Sequence, residues 1–307
     1  MSVRLSVVTA TLNRCAHLER AIQSVIEQGL DDVEHIVIDG RSTDGTMEML
    51  KRYPHLLVKS ETDSGLYEAW NKGIRCASGD VICILNSDDE IPIGAFARVR
   101  EAFAATPHAD LVSGAVELLE IDDAGVAQAL TIDAAQILAL REQDIGPGIP
   151  ITNGRYLSRD LLQRVGFFDE RYRLVSDRDY LLRVLMTKPV NVCVEATLYR
   201  YLIHRGSLTL AGQKRNRLLA DECLKASRNG VREASSVRLR AAYMRWHAWS
   251  VFYLTGIDIR EGHFATASAT VLQGLLIDPF WPARVPVPVV RHYRERRIRA
   301  GRPVNVH

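Results

Sequence analysis

The chain has 307 residues, of which 47% are hydrophobic and 25% charged, enough to bury a sizeable core in two domains or in one large domain with an appendage. Its net charge of +2 gives no global reason to expect nucleic-acid binding. The five cysteines are scattered and contain no C-x-x-C pair, which argues against a disulfide framework or zinc knuckle and for a reducing compartment.

Residues 4–10 read as a buried strand. From Leu18, the apolar positions Ala21, Ile22, Val25 and Ile26 follow helical spacing, with Gly29 where a C-terminal cap belongs. VEHIVID (33–39) is a second strand, followed by a Gly/Ser/Thr/Asp loop and a helix through about Arg52. LLVKS (56–60) is a third strand, Ala69, Trp70, Gly73, Ile74 and Ala77 form one face of the next helix, and DVICIL (80–85) is the fourth strand. This alternation predicts βαβ units, a parallel sheet and ligands beyond the carboxyl ends of the strands. Thr9–Thr11, Asp39 and Asn86–Asp89 all fall at such ends.

After about residue 106 the alternation fades. Residues 120–150 read as loop-rich, with helices expected near 157–165 and 177–187. Beyond Gln213 the chain becomes helical and Arg-rich. Phe264, Ala267, Val271, Leu272, Leu275 and Leu276 make an apolar stripe expected to pair with a Tyr243–Leu254 helix across a turn at 256–262. No apolar run reaches the roughly 18 residues that span a bilayer, and the N-terminus enters a strand pattern without signal-peptide character. A cytoplasmic location is expected.

The fourth strand ends on Asn86-Ser87-Asp88-Asp89, and adjacent carboxylates repel unless a cation or hydrogen-bonded ligand lies between them. Helix capping or ordinary turn chemistry before Pro92 are the bland alternatives. The loop Gly40–Thr46 has the glycine spacing of a P-loop but lacks its lysine. The loop Thr11–Cys15 has no glycine, so the dinucleotide fingerprint fails as well.

Four stretches in order, SVVTATLNR (6–14), HIVIDGRSTDGT (35–46), ETDSGLYEAWNKGI (61–74) and GDVICILNSDDE (79–90), resemble the family 2 glycosyltransferases. With VSDRDYLLR (175–183) the resemblance spans about the first 210 residues. It implies a GT-A, Rossmann-like α/β fold with a mostly parallel central sheet and flanking helices, plus a C-terminal helical extension. The expected division is 1–105 for the nucleotide-sugar-binding half, 106–212 for the acceptor-binding half and 213–307 for the extension. It further implies an inverting enzyme that uses a UDP- or dTDP-sugar, a saccharide or lipid-linked acceptor and magnesium or manganese, in cell-surface polysaccharide assembly.

Residue by residue, the resemblance implies that Thr9, Ala10, Thr11 and Asp39 hold the nucleobase while Arg14 and Asp63 line base and ribose. Asn86-Ser87-Asp88 stands in place of the family's D-x-D motif, with asparagine in its first position, so metal affinity rests on Asp88 and Asp89. His204 matches a segment near the diphosphate, where it could reach metal or phosphate, or have a structural role. Asp177 aligns with the general base and Asp179 with a supporting carboxylate, Ser176 replacing the family's glutamate; a simple N-cap at Ser176-Asp177 is the alternative. Trp70 reads as core, while Asn71 and Lys72 could face the donor, and Asp110, Asp122 and Asp123 read as solvated loop acids. Rival functions are a nucleotidyltransferase, which would want a Gly- and Lys-rich loop after the first strand, and a non-catalytic sugar-nucleotide-binding protein. Six arginines between 291 and 302 face only Glu295, so the C-terminus is either a solvated tail or a weak peripheral contact with the inner face of an anionic membrane.

Overall fold

A computed structural model describes residues 3–121, 127–130, 140–142, 145, 152–203 and 213–285. The chain forms two compact units, one of residues 1–141 with 149–215 and one of 142–148 with 216–307. Residues 1–105 and all of 106–212 except 142–148 fall in the first.

In that unit, β1 (Leu5–Thr11), β2 (Val33–Asp39), β3 (Leu57–Ser60) and β4 (Val81–Ile84) alternate with α1 (Cys15–Ile26), α2 (Thr46–Leu50) and α3 (Leu66–Cys76). β1 pairs in parallel with β2 and β4, and β2 with β3. β1 is buried along its whole length because both faces of the sheet are covered, which is why its sequence is a continuous apolar run. Val8 and Ala10 pack with Tyr67, Trp70 and Ile74 of α3, whereas Leu5 and Val7 join the opposite cluster with Ala21 and Val25 of α1. α3 lies so close to β1 at Gly73 that a Cβ there would come within 2.3 Å of Val8 Cγ1.

Three details of the sequence reading change in this half. α1 begins at Cys15 rather than Leu18, and its C-cap is Glu27, with Gly29 two residues further in a left-handed turn at φ 64°. Asp88 and Asp89 do not cap α4 (Ala95–Ala105), whose N-cap is Gly94. Trp70 is core as expected, but Asn71 is buried and braces the chain at Phe168 through Phe168 N–H to Asn71 Oδ1 (2.9 Å) and Asn71 Nδ2 to Phe168 O (2.9 Å). Lys72 donates to Thr62 O at 2.7 Å and pairs with Glu68.

Beyond α4 the sheet becomes mixed. Its eight strands run in the order β3-β2-β1-β4-β7-β5-β6, with β8 also paired to β5. β5 (Leu111–Ile121) pairs antiparallel with β6 (Ala127–Leu130) and β7 (Arg155–Ser158), and parallel with the long β8 (Asn191–Ile203). β7 also pairs antiparallel with β4. α5 (Arg159–Val165) and α6 (Ser176–Met186) follow near the expected positions. Asp110 is no solvated loop acid: it binds Arg164 and accepts from Val190 N–H at 2.8 Å. Asp122 and Asp123 lie outside the described residues.

The second unit contains all but the first three residues of α7 (Gln213–Glu233), with α8 (Val237–Arg260), α9 (Phe264–Ile277) and α10 (Trp281–Arg284). α8 continues through most of the expected turn, which shrinks to Glu261–His263. α9 pairs with α8 as expected, and Ala267 and Val271 of the expected stripe pack inward, but the rest of the face is revised: Thr270 and Gly274 are buried, whereas Phe264, Leu272, Leu275 and Leu276 are exposed. The helices can approach closely because the inward residues are small.

Candidate active site

The carboxyl ends of β1 and β2 meet in register, with Thr11 opposite Asp39, so their side chains share one side of the sheet. Thr9, also on that side, does not reach the strand tip: its hydroxyl lies 3.0 Å from His35 Nε2 in the interior. Burial drives the His35 pKa down to about 3, so the ring is neutral at physiological pH. Ala10 is buried against α3. The Thr11 hydroxyl is buried with no hydrogen-bond partner, beside a carboxylate that has several.

Asp39 is fully buried. It accepts from Ser60 Oγ at 2.6 Å and from Ser42 N–H at 3.2 Å. Asp63 Oδ2 sits over Gly40, where a Cβ would come within 3.1 Å, and its Oδ1 accepts from Gly65 N–H. Burial raises the Asp63 pKa; Lys72 pulls it back, and the charges of Glu68 and Asp39 push it up further. Two acids within electrostatic reach of each other at adjacent strand tips suit a ligand that offers N–H and O–H donors.

The two loops beside them are stapled together. Asn13, at φ 53°, accepts from Thr43 N–H at 2.8 Å and donates its own N–H to Ser42 Oγ, while Asp44 accepts from Cys15 N–H and Thr46. Arg14 follows as the N-cap residue of α1. The sequence reading did not single out Asn13, Ser42 or Asp44, although their Asx and Ser turn chemistry was a usable signal.

At the end of β4 the two adjacent carboxylates diverge. Asp88 is half-buried, whereas Asp89 is 1% exposed and turned inward. Asp89 Oδ2 accepts from Tyr199 O–H at 2.7 Å and Asn86 Nδ2 at 2.8 Å, and its Oδ1 accepts from Leu202 N–H at 2.8 Å. Asn153 Nδ2 and Asn86 N–H both donate to the Tyr199 oxygen. Burial first, and then the charge of Asp88, raises the Asp89 pKa to about 7 despite these donors. Against the expectation that Asp88 and Asp89 share a cation, Asp89 is committed to bracing the 86–90 turn against β8. Ser87 is buried in that turn.

Among the described residues no group of three or more His, Cys, Asp or Glu side chains could hold a metal. His204 lies outside the described residues. A magnesium or manganese ion needs only one or two carboxylates when substrate phosphates complete its shell. Asp88, a hard oxygen donor at a strand tip, fits that demand.

Asp177 stands in the first turn of α6. The N-cap is Val175, with no side-chain capping bond, and the Ser176 hydroxyl is buried without a partner, so the simple capping alternative fails. Asp177 Oδ1 accepts from Arg178 N–H at 2.8 Å and from Tyr67 O–H at 3.2 Å, while Oδ2 has no hydrogen bond to a described residue. Tyr67 stacks on Phe168, which stacks on Tyr180, and Trp70 meets Phe168 edge-on. Burial pushes Asp177 up to about 6, only partly offset by Arg178 and the two donors. A carboxylate so poised is still largely ionised at pH 7 yet is a stronger base than usual.

Asp179 does not join Asp177. It is buried against Arg183, whose Nε donates at 2.9 Å and whose remaining nitrogens donate to Val165 O and Phe167 O. This anchors α6 to the preceding loop. Sequence reasoning missed Tyr67 and Tyr199. Tyr67 lies three residues before Trp70 on the same helix face, so periodicity could have found it, whereas Tyr199 carries no local signal.

The model of the family described as "Glycosyl transferase family 2" matches residues 6–165. A "PGL/p-HBAD biosynthesis glycosyltransferase" of Mycobacterium bovis is 27% identical over 200 residues, covering 62% of this chain and 74% of that protein. An uncharacterized glycosyltransferase of Mycobacterium tuberculosis is 28% identical over 198 residues, 62% of this chain and 72% of its own. Among solved structures, a mannosyltransferase from Pyrobaculum calidifontis in complex with GDP-Man and Mn2+ superposes with a TM-score of 0.62 at 18% identity, over 98% of this chain and 81% of that one. Staphylococcus aureus TarS in complex with UDP-GlcNAc gives 0.55 at 14% identity, over 92% and 93%. The family match covers more than half of the chain, the fold is that of the GT-A enzymes, and the chain therefore belongs to glycosyl transferase family 2.

Proposed function

We propose that this glycosyltransferase moves a sugar, with inversion, from a UDP- or dTDP-sugar to a saccharide or lipid-linked acceptor in cell-surface polysaccharide assembly. Residues 1–105 would hold the donor, 106–212 would shape the acceptor site and 213–307 would form an extension. The observation that carries the reading is the half-buried carboxylate Asp177, its pKa raised by burial to about 6, tied through Tyr67 to the helix that follows Asp63.

The donor's base would rest against the β1 tip at Thr11, backed from the interior by Thr9 and Ala10, with Asp39 accepting its ring N–H and Thr11 Oγ1 gaining a partner. Arg14 and Asp63 would line base and ribose, and Asn86 and Ser87 the ribose hydroxyls. Asp88, with His204, would hold a magnesium or manganese ion, while Asp89 positions that turn without binding metal itself. The bound ion would supply positive charge against the leaving diphosphate. Asp177 Oδ2 would take the proton of the acceptor hydroxyl as its oxygen bonds to the anomeric carbon and the bond to the diphosphate oxygen breaks. Asp179 would keep α6 in place. A cytoplasmic enzyme with a weak peripheral contact at the inner membrane face is part of the same reading.

The two solved relatives carry guanine and uracil nucleotides respectively, so base choice is the first thing to test. Thermal shifts with UDP-, dTDP- and GDP-sugars, with and without manganese, should give the largest stabilisation for a pyrimidine nucleotide with manganese, since binding to the native state raises stability with occupancy. Preference for GDP-sugars, or no shift with any nucleotide, would overturn the assignment.

A further inference from the structure

α9 has its amphipathicity inverted. Its buried side is made of the small residues Ala267, Thr270 and Gly274, and a Cβ at Gly274 would come within 3.0 Å of Val251 and Trp281. Val271 packs in part against Val251 and Trp281, but four large apolar side chains face outward: Phe264 is 66% exposed, Leu272 61% and Leu276 86%, and Phe280 just beyond the helix is 70% exposed. No charged residue occurs in the 14 residues from Phe264 to Ile277. Single exposed leucines are ordinary, but large apolar side chains along an uncharged helix whose small side is buried mark a contact surface.

We propose that this face of α9, with Phe280, lies in the interface of an anionic lipid bilayer. Among the described residues no helix is long and apolar enough to cross a membrane, and at about 1.5 Å per residue α9 would span only about 21 Å, so the contact is in-plane. The charge of the chain chooses the occupant. Segment 286–307, joined to the helix that follows α9, carries six arginines against one glutamate, in a chain whose net charge is only +2. A second copy would add a second set of arginines while α9 offers no acid to pair with them, whereas anionic headgroups complement the arginines and acyl chains complement the leucines. The proposal deepens the membrane contact suggested above. Its assay contains no nucleotide sugar, so its failure leaves the transferase reading standing.

The test is sedimentation of the full-length protein with phosphatidylcholine vesicles, with and without phosphatidylglycerol. Expected is salt-sensitive pelleting with the anionic vesicles and little with the neutral ones. The L272S/L276S/F280S variant should bind at least about tenfold more weakly at low salt, because each exposed apolar side chain contributes area that the bilayer would bury. These positions are exposed, so the variant should melt like the wild type. The R296Q/R297Q/R299Q variant should also weaken binding and flatten its salt dependence. Three results with the wild type and the apolar variant would overturn the proposal: no pelleting of the wild type; equal pelleting of the apolar variant; or a wild-type dimer in solution that the apolar variant reduces to monomer, which would make the face a self-interface. Stronger binding by the arginine variant would also overturn it, because the tail would then be a cover for the face.

Discussion

Replacing Tyr67 with phenylalanine removes one oxygen and leaves the ring stack on Phe168 in place. That oxygen donates to Asp177 Oδ1 at 3.2 Å, a bond that favours the charged carboxylate, so its loss should raise the Asp177 pKa. Hydrogen bonds to charged groups contribute about 1.5–3 kcal/mol; this one is long and shares its acceptor with Arg178 N–H, so the low end applies, or roughly one pKa unit. The base must be ionised to accept a proton, so activity falls as pH drops through its pKa. The acid limb of kcat/KM should therefore lie near 6 in the wild type and about one unit higher in Tyr67→Phe, with the plateau at high pH nearly unchanged. The assay is the pH profile of transfer for both proteins. Asp89, at about 7, has no bond to Tyr67, so a limb set by Asp89 would not move. An unmoved limb, or loss of activity at all pH values, would refute the assignment of Asp177 as the group that Tyr67 tunes.

Asp89 has its folded pKa raised from an ordinary carboxylate value to about 7, so its contribution to stability is present below about pH 4 and is lost as pH rises toward 7. Urea unfolding of Asp89→Asn should show a flatter pH dependence across that window than the wild type; an identical slope would contradict the burial argument. Asp39→Ala should weaken UDP binding by roughly 1–3 kcal/mol in calorimetry, with thermal stability recorded alongside because Ser42 and Ser60 lose their acceptor. Gly73→Ala drives a methyl into Val8 and should lower stability by about 1–3 kcal/mol, read as a reduced urea midpoint.

The parallel half of the sheet was legible because its strands are covered on both faces and read as unbroken Val/Ile runs, and the rule placing ligands at strand ends singled out Asp39 and Asp88 as candidates. The other half was not. β8 mixes Glu195 and Arg200 into its apolar positions, and its register to β5 shifts at Gly114 and Ala115, so no simple period survives. Asp88 and Asp89 are neighbours in sequence, yet the Tyr199 hydroxyl that separates their roles lies 110 residues further along. The same separation divides Tyr67 from Asp177. Tertiary partners of that kind leave no mark on local spacing. In α9 the usual rule that large apolar residues point inward misplaced Phe264, Leu272, Leu275 and Leu276, because Gly274 and Thr270, which the stripe left out, fill the close approach to α8.

In the proposed mechanism Asp177 acts on the acceptor's proton and takes no part in holding the donor. Asp177→Asn keeps the shape and most of the hydrogen bonding but cannot accept that proton. Calorimetric titration with UDP and manganese, paired with a transfer assay on the same protein, should show near-wild-type affinity and a turnover reduced by roughly 10²–10⁴. Asp179→Asn, which loosens the pairing with Arg183, should lose much less. Near-normal turnover in Asp177→Asn, or a larger defect in Asp179→Asn, would contradict the account.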